Sequence, residues 1–561
     1  MTTEAQQAAI DSNSTNCAVA SGPGSGKTFV LVERAKRLVA QSRVVILITF
    51  TNRAAEEMRG RLGSDAEKVR YCGPLHKFCF RILREFGYIL GYDSTNISIL
   101  PEGESQRLIK QVAQRLGREI TWREIREKSS TDALQIWAEY DATLKQNNVV
   151  DFDKILACAS RLLDDKRVRG AFMCDDLLIE EAQDSAPIDW LIYSKIPAKR
   201  RFVVADVDQS IFAFRGGFPR GFVELTEHKD WQVHRLEINF RSDVLICRAA
   251  AKLIAYNSNR VRKRILAATC DDGVIRYTGC SDTYEELVNV AGRIRERIDA
   301  QSQAVLCRSN FEAKRVADYL ESVSIPVARE RAVFLPPDWD LAMTGIGMAA
   351  DPENDILAAH CMELLGGPAH HIEELRLTAQ AASQPLALYL PPRIVGAGPL
   401  TDIAHWLPRL GVSEQTTRYI MRRKLALGPD ATLADLIHDL SQTFKDVKDT
   451  AATDQPSPEG SENVKELKDK VYVGTIHSAK GHEWDAVYLP AFEEGIIPHH
   501  GKKPVGPDEL EEERRLAYVA ITRARSTVFI TTAENRTHKW GAPTSQTPSR
   551  FITEMGLTEG S

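Results

Sequence analysis

No stretch of the chain approaches the roughly 18 consecutive apolar residues that cross a bilayer, so a membrane protein is not expected. The opening residues Met1-Thr2-Thr3-Glu4-Ala5-Gln6 lack the basic and then apolar pattern of an export signal. Paired cysteines are missing too. The ten cysteines are scattered singly with no Cys-x-x-Cys, which argues against a disulfide framework or a zinc site and makes a reducing cytoplasm the expected setting. Nor is there an excess of positive charge. A net charge of -5 speaks against coating duplex DNA by charge alone, although a local basic or aromatic channel is compatible with it. No internal repeat recurs at a fixed period.

What is present reads as an ordinary globular chain, 43% hydrophobic and 27% charged. Its 561 residues exceed one hydrophobic core and suggest about three to four domains. Short, branched, continuous apolar runs mark buried parallel strands: Cys17-Ala18-Val19-Ala20, Val44-Val45-Ile46-Leu47-Ile48, Leu177-Leu178-Ile179 and Phe202-Val203-Val204. Others follow at Ala304-Val305-Leu306, Val471-Tyr472-Val473 and Val487-Tyr488-Leu489. Residues 102–165 read as helical, with Leu108, Val112 and Leu116 at four-residue spacing. The pattern predicts two α/β units, each interrupted by a mostly helical insert. Residues 449–464 are polar and rich in Pro and Ser, as in a linker.

Between the first strand and a helix predicted near Phe29 lies Ser21-Gly22-Pro23-Gly24-Ser25-Gly26-Lys27-Thr28, the setting of a phosphate-binding loop. Gly22, Gly24, Ser25 and Gly26 let backbone amides close on phosphate oxygens, helped by the helix dipole. Lys27 is expected to reach the β- and γ-phosphates and Thr28 to hold Mg2+. Such a loop needs an acidic partner at a neighbouring strand end, and Glu180-Glu181 supplies it. The first acid would serve Mg2+ and the second would activate the attacking water.

The residues that follow, Ala182-Gln183-Asp184, complete a resemblance to superfamily 1 DNA helicases of the UvrD/Rep/PcrA type. Its motifs run in order: Gln6 in Glu4–Ile10, then Thr49–Met58, Asp206–Gly216, Leu236–Ser242, Thr475–Trp484 and Glu512–Ala524. The resemblance implies two RecA-like P-loop motor domains. Residues 1–75 and 171–246 would form the first, with a helical insert at 76–170. Residues 247–330 and 465–561 would form the second, with a reduced insert and linker at 331–464.

The roles it implies are specific. Gln6 would read adenine, Gly481 and Glu483 would contribute to the nucleotide site, and Lys27, Glu181, Gln209, Arg241 and Arg523 would carry catalysis. Glu180 and Thr28 would serve the metal. Phe50, Asn52, His76, Phe212, Phe214, Arg215 and His477 would meet DNA, the rings stacking on bases at about 1–3 kcal/mol each. The chain departs from its relatives at Ser21 for Gly, Phe29 for Arg, Glu180 for Asp, Phe240 for Tyr, Phe214 for Trp and Gly73-Pro74-Leu75-His76 for Gly-Thr-Phe-His. Either the adenine rests against Phe29 and Phe240, or both rings pack in the core.

The expected activity is an ATP-dependent helicase or translocase moving 3′ to 5′ on single-stranded DNA and at single/double-strand junctions, in repair, replication or defence. An alternative stays open: a DNA-end-sensing ATPase subunit that regulates a partner nuclease. No nuclease signature is found in the chain itself. His370-His371 and His499-His500 lack acidic or Cys partners at ligand spacing and read as surface residues. Arg418, Arg422, Arg423 and Lys424 read either as a solvated helix face or as a duplex-DNA patch.

Overall fold

The computed structural model describes residues 2–94, 97–100, 102–118, 125, 130–212, 216–297, 302–329, 338–351, 354–382, 384–390, 403–427, 432–433, 435–437, 439–441, 470–500, 506–537 and 544–559. The linker expected at 449–464 lies outside them, as do Phe214 and Arg215. The chain forms two compact units. One comprises Met1–Leu75, Phe172–Val333 and Lys448–Ser561; the other comprises His76–Ala171 and Phe334–Val447.

The first unit holds two parallel sheets. The strands of the first are β1 (Asn16–Ser21), β2 (Val45–Thr49), β3 (Tyr71–Pro74), β4 (Cys174–Ile179), β5 (Ala198–Ala205) and β6 (Gln232–Leu236). Their order is β3-β2-β4-β5-β1-β6. Every predicted apolar run of the N-terminal half is one of these strands. β1 and β2 are buried along almost their whole length, as strands covered on both faces must be. Ala18 pairs with Val203 on one side and Val233 on the other, so β1 is central. The order β4-β5-β1 then sets three strand ends side by side, and the loops after them must converge.

Helices flank the sheet. α1 (Glu4–Asp11) is closed by a reciprocal cap: the Gln6 amide donates to Thr3 Oγ1 at 3.1 Å, and the Thr3 amide donates to Gln6 Oε1 at 3.0 Å. α2 (Lys27–Ala40) starts directly from the glycine loop, and α3 (Asn52–Leu62) is capped by Thr51.

The second sheet has β7 (Val274–Asp282), β8 (Gln303–Cys307), β9 (Val327–Arg329), β10 (Val471–Thr475), β11 (Trp484–Leu489) and β12 (Ala524–Arg536), in the order β7-β12-β11-β8-β10-β9. A short strand, Thr544–Ser545, adds antiparallel to β12. The helix Pro507–Ile521 packs against it through the continuous apolar run Leu516–Ile521. Both sheets bear out the predicted mixed α/β class with parallel strands.

Burial of charge is as marked as burial of carbon. Arg536 is fully buried, donating to Glu493 at 2.5 and 2.6 Å and to Glu286 at 2.7 Å. The two carboxylates in turn accept the Ala533 and Ala491 amides and the Thr531 hydroxyl. One guanidinium therefore ties β12 to the helix Thr283–Arg295 and to the loop after β11.

In the second unit the stretch predicted as helical is helical at Glu102–Arg115, Thr131–Gln146 and Phe152–Leu162. It is interrupted by Val149–Val150, which pairs parallel with Ser98–Ile99. Residues 334–447 contribute further helices, among them Trp339–Ala350, Asp355–Leu364 and Glu414–Ala426. Gly345 and Gly347 allow close packing there: a Cβ would lie 2.4 Å from a Leu410 methyl and 2.7 Å from a Leu357 methyl. The two inserts join through polar groups. Glu104 pairs with His360 and accepts from Thr344 at 3.2 Å, and Asn354 donates to Ser98 at 2.9 Å. Arg423 is half-buried against Asp439 at 2.7 and 2.8 Å, while Arg418 pairs with Glu414 on the surface. Among the described residues no helix is long and apolar enough to cross a membrane.

Removing Arg536 strands buried carboxylates, which costs about 3–5 kcal/mol when one partner of a buried ion pair is lost. Arg536→Ala is therefore expected to shift the denaturant midpoint strongly. A change indistinguishable from that of a surface Arg→Ala control would refute the role given to this cluster.

Candidate active site

The loop after β1 is shaped by its glycines. Gly24 and Gly26 have positive φ, +61° and +76°. A Cβ on Gly24 would lie 2.6 Å from Asn239 Oδ1 and 2.7 Å from Arg241 Cβ; on Gly26 it would lie 2.8 Å from Gln6 Nε2. Only glycine fits both turns and both approaches. Ser21 keeps its place by donating to the Ala205 carbonyl at 3.0 Å. The hydroxyl thus fastens the end of β1 to the end of β5, a use that a glycine could not serve. Ser25 braces the loop by donating to the Gly22 carbonyl at 2.8 Å, and Gln6 donates to the Ser25 carbonyl at 3.0 Å.

The acids after β4 face this loop. Thr28 donates to Glu180 Oε1 at 2.9 Å, and Lys27 forms an ion pair with Glu181. Glu181 has φ +51°, a left-handed conformation that costs a non-glycine residue about 1–3 kcal/mol and marks a constrained site. The two carboxyls titrate far apart. Burial and the negative charge of Glu181 push Glu180 up to about 7. Burial opposes the charge on Glu181 as well, but Lys27 and Lys480 overcome it and hold its carboxyl down at about 2.

β5 leads into the turn Asp206-Val207-Asp208-Gln209. Gln209 donates to Asp206 Oδ2 at 2.6 Å, and its Oε1 accepts from Arg523 Nη2 at 2.9 Å. Arg523, fully buried at the end of Pro507–Ile521, also donates to the carbonyls of Val519 and His482. Burial and the like charge of Arg241 lower its guanidinium to about 9, so the pocket favours an added anion. Arg241 donates to Glu483 Oε2 at 2.5 Å and to the Thr522 carbonyl at 3.2 Å, and Glu483 is shared with Arg525 at 2.7 Å. Gly481, just before, has φ +89°. The Phe240 amide donates to the Gly24 carbonyl at 2.9 Å, which docks its strand on the loop. Neither Phe29 (39% exposed) nor Phe240 (51% exposed) is packed in the core.

The structure thus brings together Gln6, Gly22, Gly24, Ser25, Gly26, Lys27, Thr28, Phe29, Glu180, Glu181, Gln209, Phe240, Arg241, Gly481, Glu483 and Arg523. The residues expected to meet DNA are less uniform. Phe50 is exposed (38%), and Asn52 begins α3 beside it. Phe212 is not exposed: it is 3% accessible, with the Phe50 ring stacked at 6.1 Å between centroids and Lys480 Nζ 4.5 Å from its own centroid. His477 is buried as well. Both lie beneath the surface where stacking rings were expected, because each follows a strand end that packs into the contact between the two sheets' domains. His76 belongs to the other unit, edge-on to Phe152.

Several residues in the cluster had escaped sequence reading. Lys480 pairs with Asp184 and donates to the Gln209 carbonyl at 3.2 Å. Gln183 pairs with Glu181 and accepts the Asp206 amide at 3.0 Å. Lys263 and Arg260 meet Asp206 and Asp208. The first three lie inside quoted motifs. The last two stand in the basic run Arg260-Val261-Arg262-Lys263-Arg264, which has the look of a solvated face.

A phosphate loop, an acid pair and two arginines between two parallel-sheet domains define a two-domain P-loop nucleoside triphosphatase. Residues 2–130 and 122–230 match the family profile of the UvrD/REP helicase N-terminal domain, and residues 234–334 and 431–535 match that of the UvrD-like helicase C-terminal domain. The chain belongs to the UvrD-like helicase family. It is 26% identical to the ATP-dependent DNA helicase Rep of Salmonella typhimurium, over 98% of this chain and 93% of that protein. It is 27% identical to UvrD1 of Mycobacterium bovis, over 96% and 82%, and 26% identical to PcrA of Bacillus subtilis, over 98% and 85%. Both relatives are likewise ATP-dependent DNA helicases.

The acid pair generates a pH test. Glu180 holds its proton more tightly when folded, about 7 against an ordinary 4.5. Its proton therefore adds stability that is complete below 4.5 and is lost as pH rises through 7. In thermal melts without nucleotide, the difference between wild type and Glu180→Gln is expected to change across pH 4.5 to 7. Parallel curves would contradict this assignment.

Proposed function

We propose that this chain is a DNA-stimulated ATPase that moves 3′ to 5′ along single-stranded DNA and separates strands at junctions. The observation that carries the reading is the hydrogen bond from Arg523 to Gln209, because it joins the catalytic loop of one motor domain to the arginine of the other. Hydrolysis needs both, so it is tied to how the two domains close.

The chemistry follows from the residues. An incoming triphosphate competes with Glu181 for Lys27, and the released carboxylate can accept a proton from water. Arg523 and Arg241 neutralise charge that develops on the transferred phosphoryl group, where positioning and electrostatics supply most of the catalysis. Thr28 and Glu180, oxygen donors 2.9 Å apart, fit a Mg2+ site. The ion would spread phosphate charge; the chain's own task is to orient these donors. Gln6, Phe29 and Phe240 would take the base. Phe50 and Asn52 would meet DNA, with Phe212 and His477 beneath the surface and Lys480 over the Phe212 ring; His76, Phe214 and Arg215 are proposed as further DNA contacts.

Lys27→Ala is expected to abolish ATPase activity, and Arg523→Ala to lower kcat by about a thousandfold or more, the scale of other arginine fingers. Steady-state assays with and without single-stranded DNA check both. Phe240→Ala should raise the ATP KM, and an unchanged KM would remove the stacking role. Unwinding of 3′-tailed but not 5′-tailed duplexes is expected. Stimulated ATPase without unwinding would instead favour an end-sensing subunit that regulates a partner nuclease.

A further inference from the structure

We infer that Lys263 is a positioning residue for ATP hydrolysis, acting through Asp206 on Gln209; this rests on the roles proposed above for Gln209 and Arg523. Lys263 lies in the segment that leads from the first sheet to the second, just before the short strand Leu266–Ala267. It turns back into the first domain. Its ammonium sits 3.0 Å from Asp206 Oδ1 and 2.5 Å from Asp208 Oδ2, and all three side chains are at most 1% exposed. Arg260 already answers Asp208 at 2.7 Å, so the distinctive contact of Lys263 is the one to Asp206. Its stem also underlies the phosphate loop: a Cβ on Gly22 would lie 4.0 Å from Lys263 Cε.

Asp206 uses its two oxygens in opposite directions. Oδ1 takes Lys263, and Oδ2 takes the Gln209 amide at 2.6 Å. That contact fixes which end of the Gln209 amide is free, so Oε1 is the atom presented to Arg523. Asp206 is also anchored through its backbone, by donating to Gln183 beside the acid pair. Without Lys263, Asp206 is a buried carboxylate lacking its cation and left at Oδ1 with the longer Asp208 amide bond of 3.3 Å, so its hold on Gln209 is loosened. Placement errors of about 1 Å can cost about a hundredfold in rate even when the change is remote from the reacting atoms.

The test is a double-mutant cycle on the DNA-stimulated ATPase of the full chain, using Lys263→Met, Gln209→Ala and the pair. If Lys263 works through Gln209, Lys263→Met lowers kcat by about ten- to a hundredfold while the ATP KM stays within about threefold. In the Gln209→Ala background the same change should cost under about threefold. Lys263→Arg, which keeps a cation against both carboxylates, is expected to melt close to wild type and to keep kcat within about threefold of it. Equal losses in both backgrounds, or a raised KM with unchanged kcat, would overturn the inference. Wild type without ATPase activity would overturn the proposed function as well, whereas active wild type with additive losses overturns this inference alone.

Discussion

The motor unit depends on one constraint: its working charges are withdrawn from solvent, fully at Asp184 and Arg523 and partly at Lys27, Arg241 and Lys480, and such a charge must be paired. Each pairing joins elements far apart in sequence. Lys27 is held by Glu181, Arg241 by Glu483, Lys480 by Asp184, and Arg523 by the neutral but polar Gln209. Arg241–Glu483, Lys480–Asp184 and Arg523–Gln209 link motifs on opposite sides of the cleft. Partners so placed cannot change independently. On the proposed mechanism, a phosphate that draws Lys27 or Arg523 also loosens what those groups were holding, and chemistry becomes coupled to the set of contacts between domains.

Parallel topology makes this possible. Because β4, β5 and β1 are neighbours, the acid pair, the Asp206–Gln209 turn and the phosphate loop emerge together, although Ser21 and Gln209 are 188 positions apart in the chain. The second sheet repeats the device: β10 leads into the segment carrying Lys480 and Glu483, and the helix before β12 ends at Ile521, just ahead of Arg523. The inserts gather into a unit of their own.

Much of this was legible in the sequence. The buried strands announce themselves through branched apolar runs, and the phosphate loop through glycine spacing whose need is visible at Gly24 and Gly26. The residues of the nucleotide cluster could be named because ordered motifs carried them. The sequence was mute where burial overrides composition. Phe212 has the look of a stacking ring and is a core residue pinned between Phe50 and Lys480. Lys263 has the look of a solvated cation and is fully buried. Neither fact follows from local pattern, since both depend on which groups distant stretches of the chain bring near. The strand pair Ser98–Ile99 with Val149–Val150 was hidden for a similar reason: two residues are too few to show periodicity.

The departures of this chain from its relatives acquire physical meaning at the same cluster. Ser21 is explained by its bond to Ala205, which a glycine could not make. Glu180 is one methylene longer than aspartate, and that extra reach lets its oxygen meet the Thr28 hydroxyl directly at 2.9 Å. The same proximity places it against Glu181, and two buried carboxyls side by side cannot both ionise cheaply. Lys27 settles which one does. Its ammonium is paired with Glu181, so of the two it is Glu180 that is pushed toward the protonated form. Anything that takes Lys27 away from Glu181 removes the bias between the two acids. The state of the acid pair is thereby linked to occupancy of the phosphate loop, through the contact between Lys27 and Glu181.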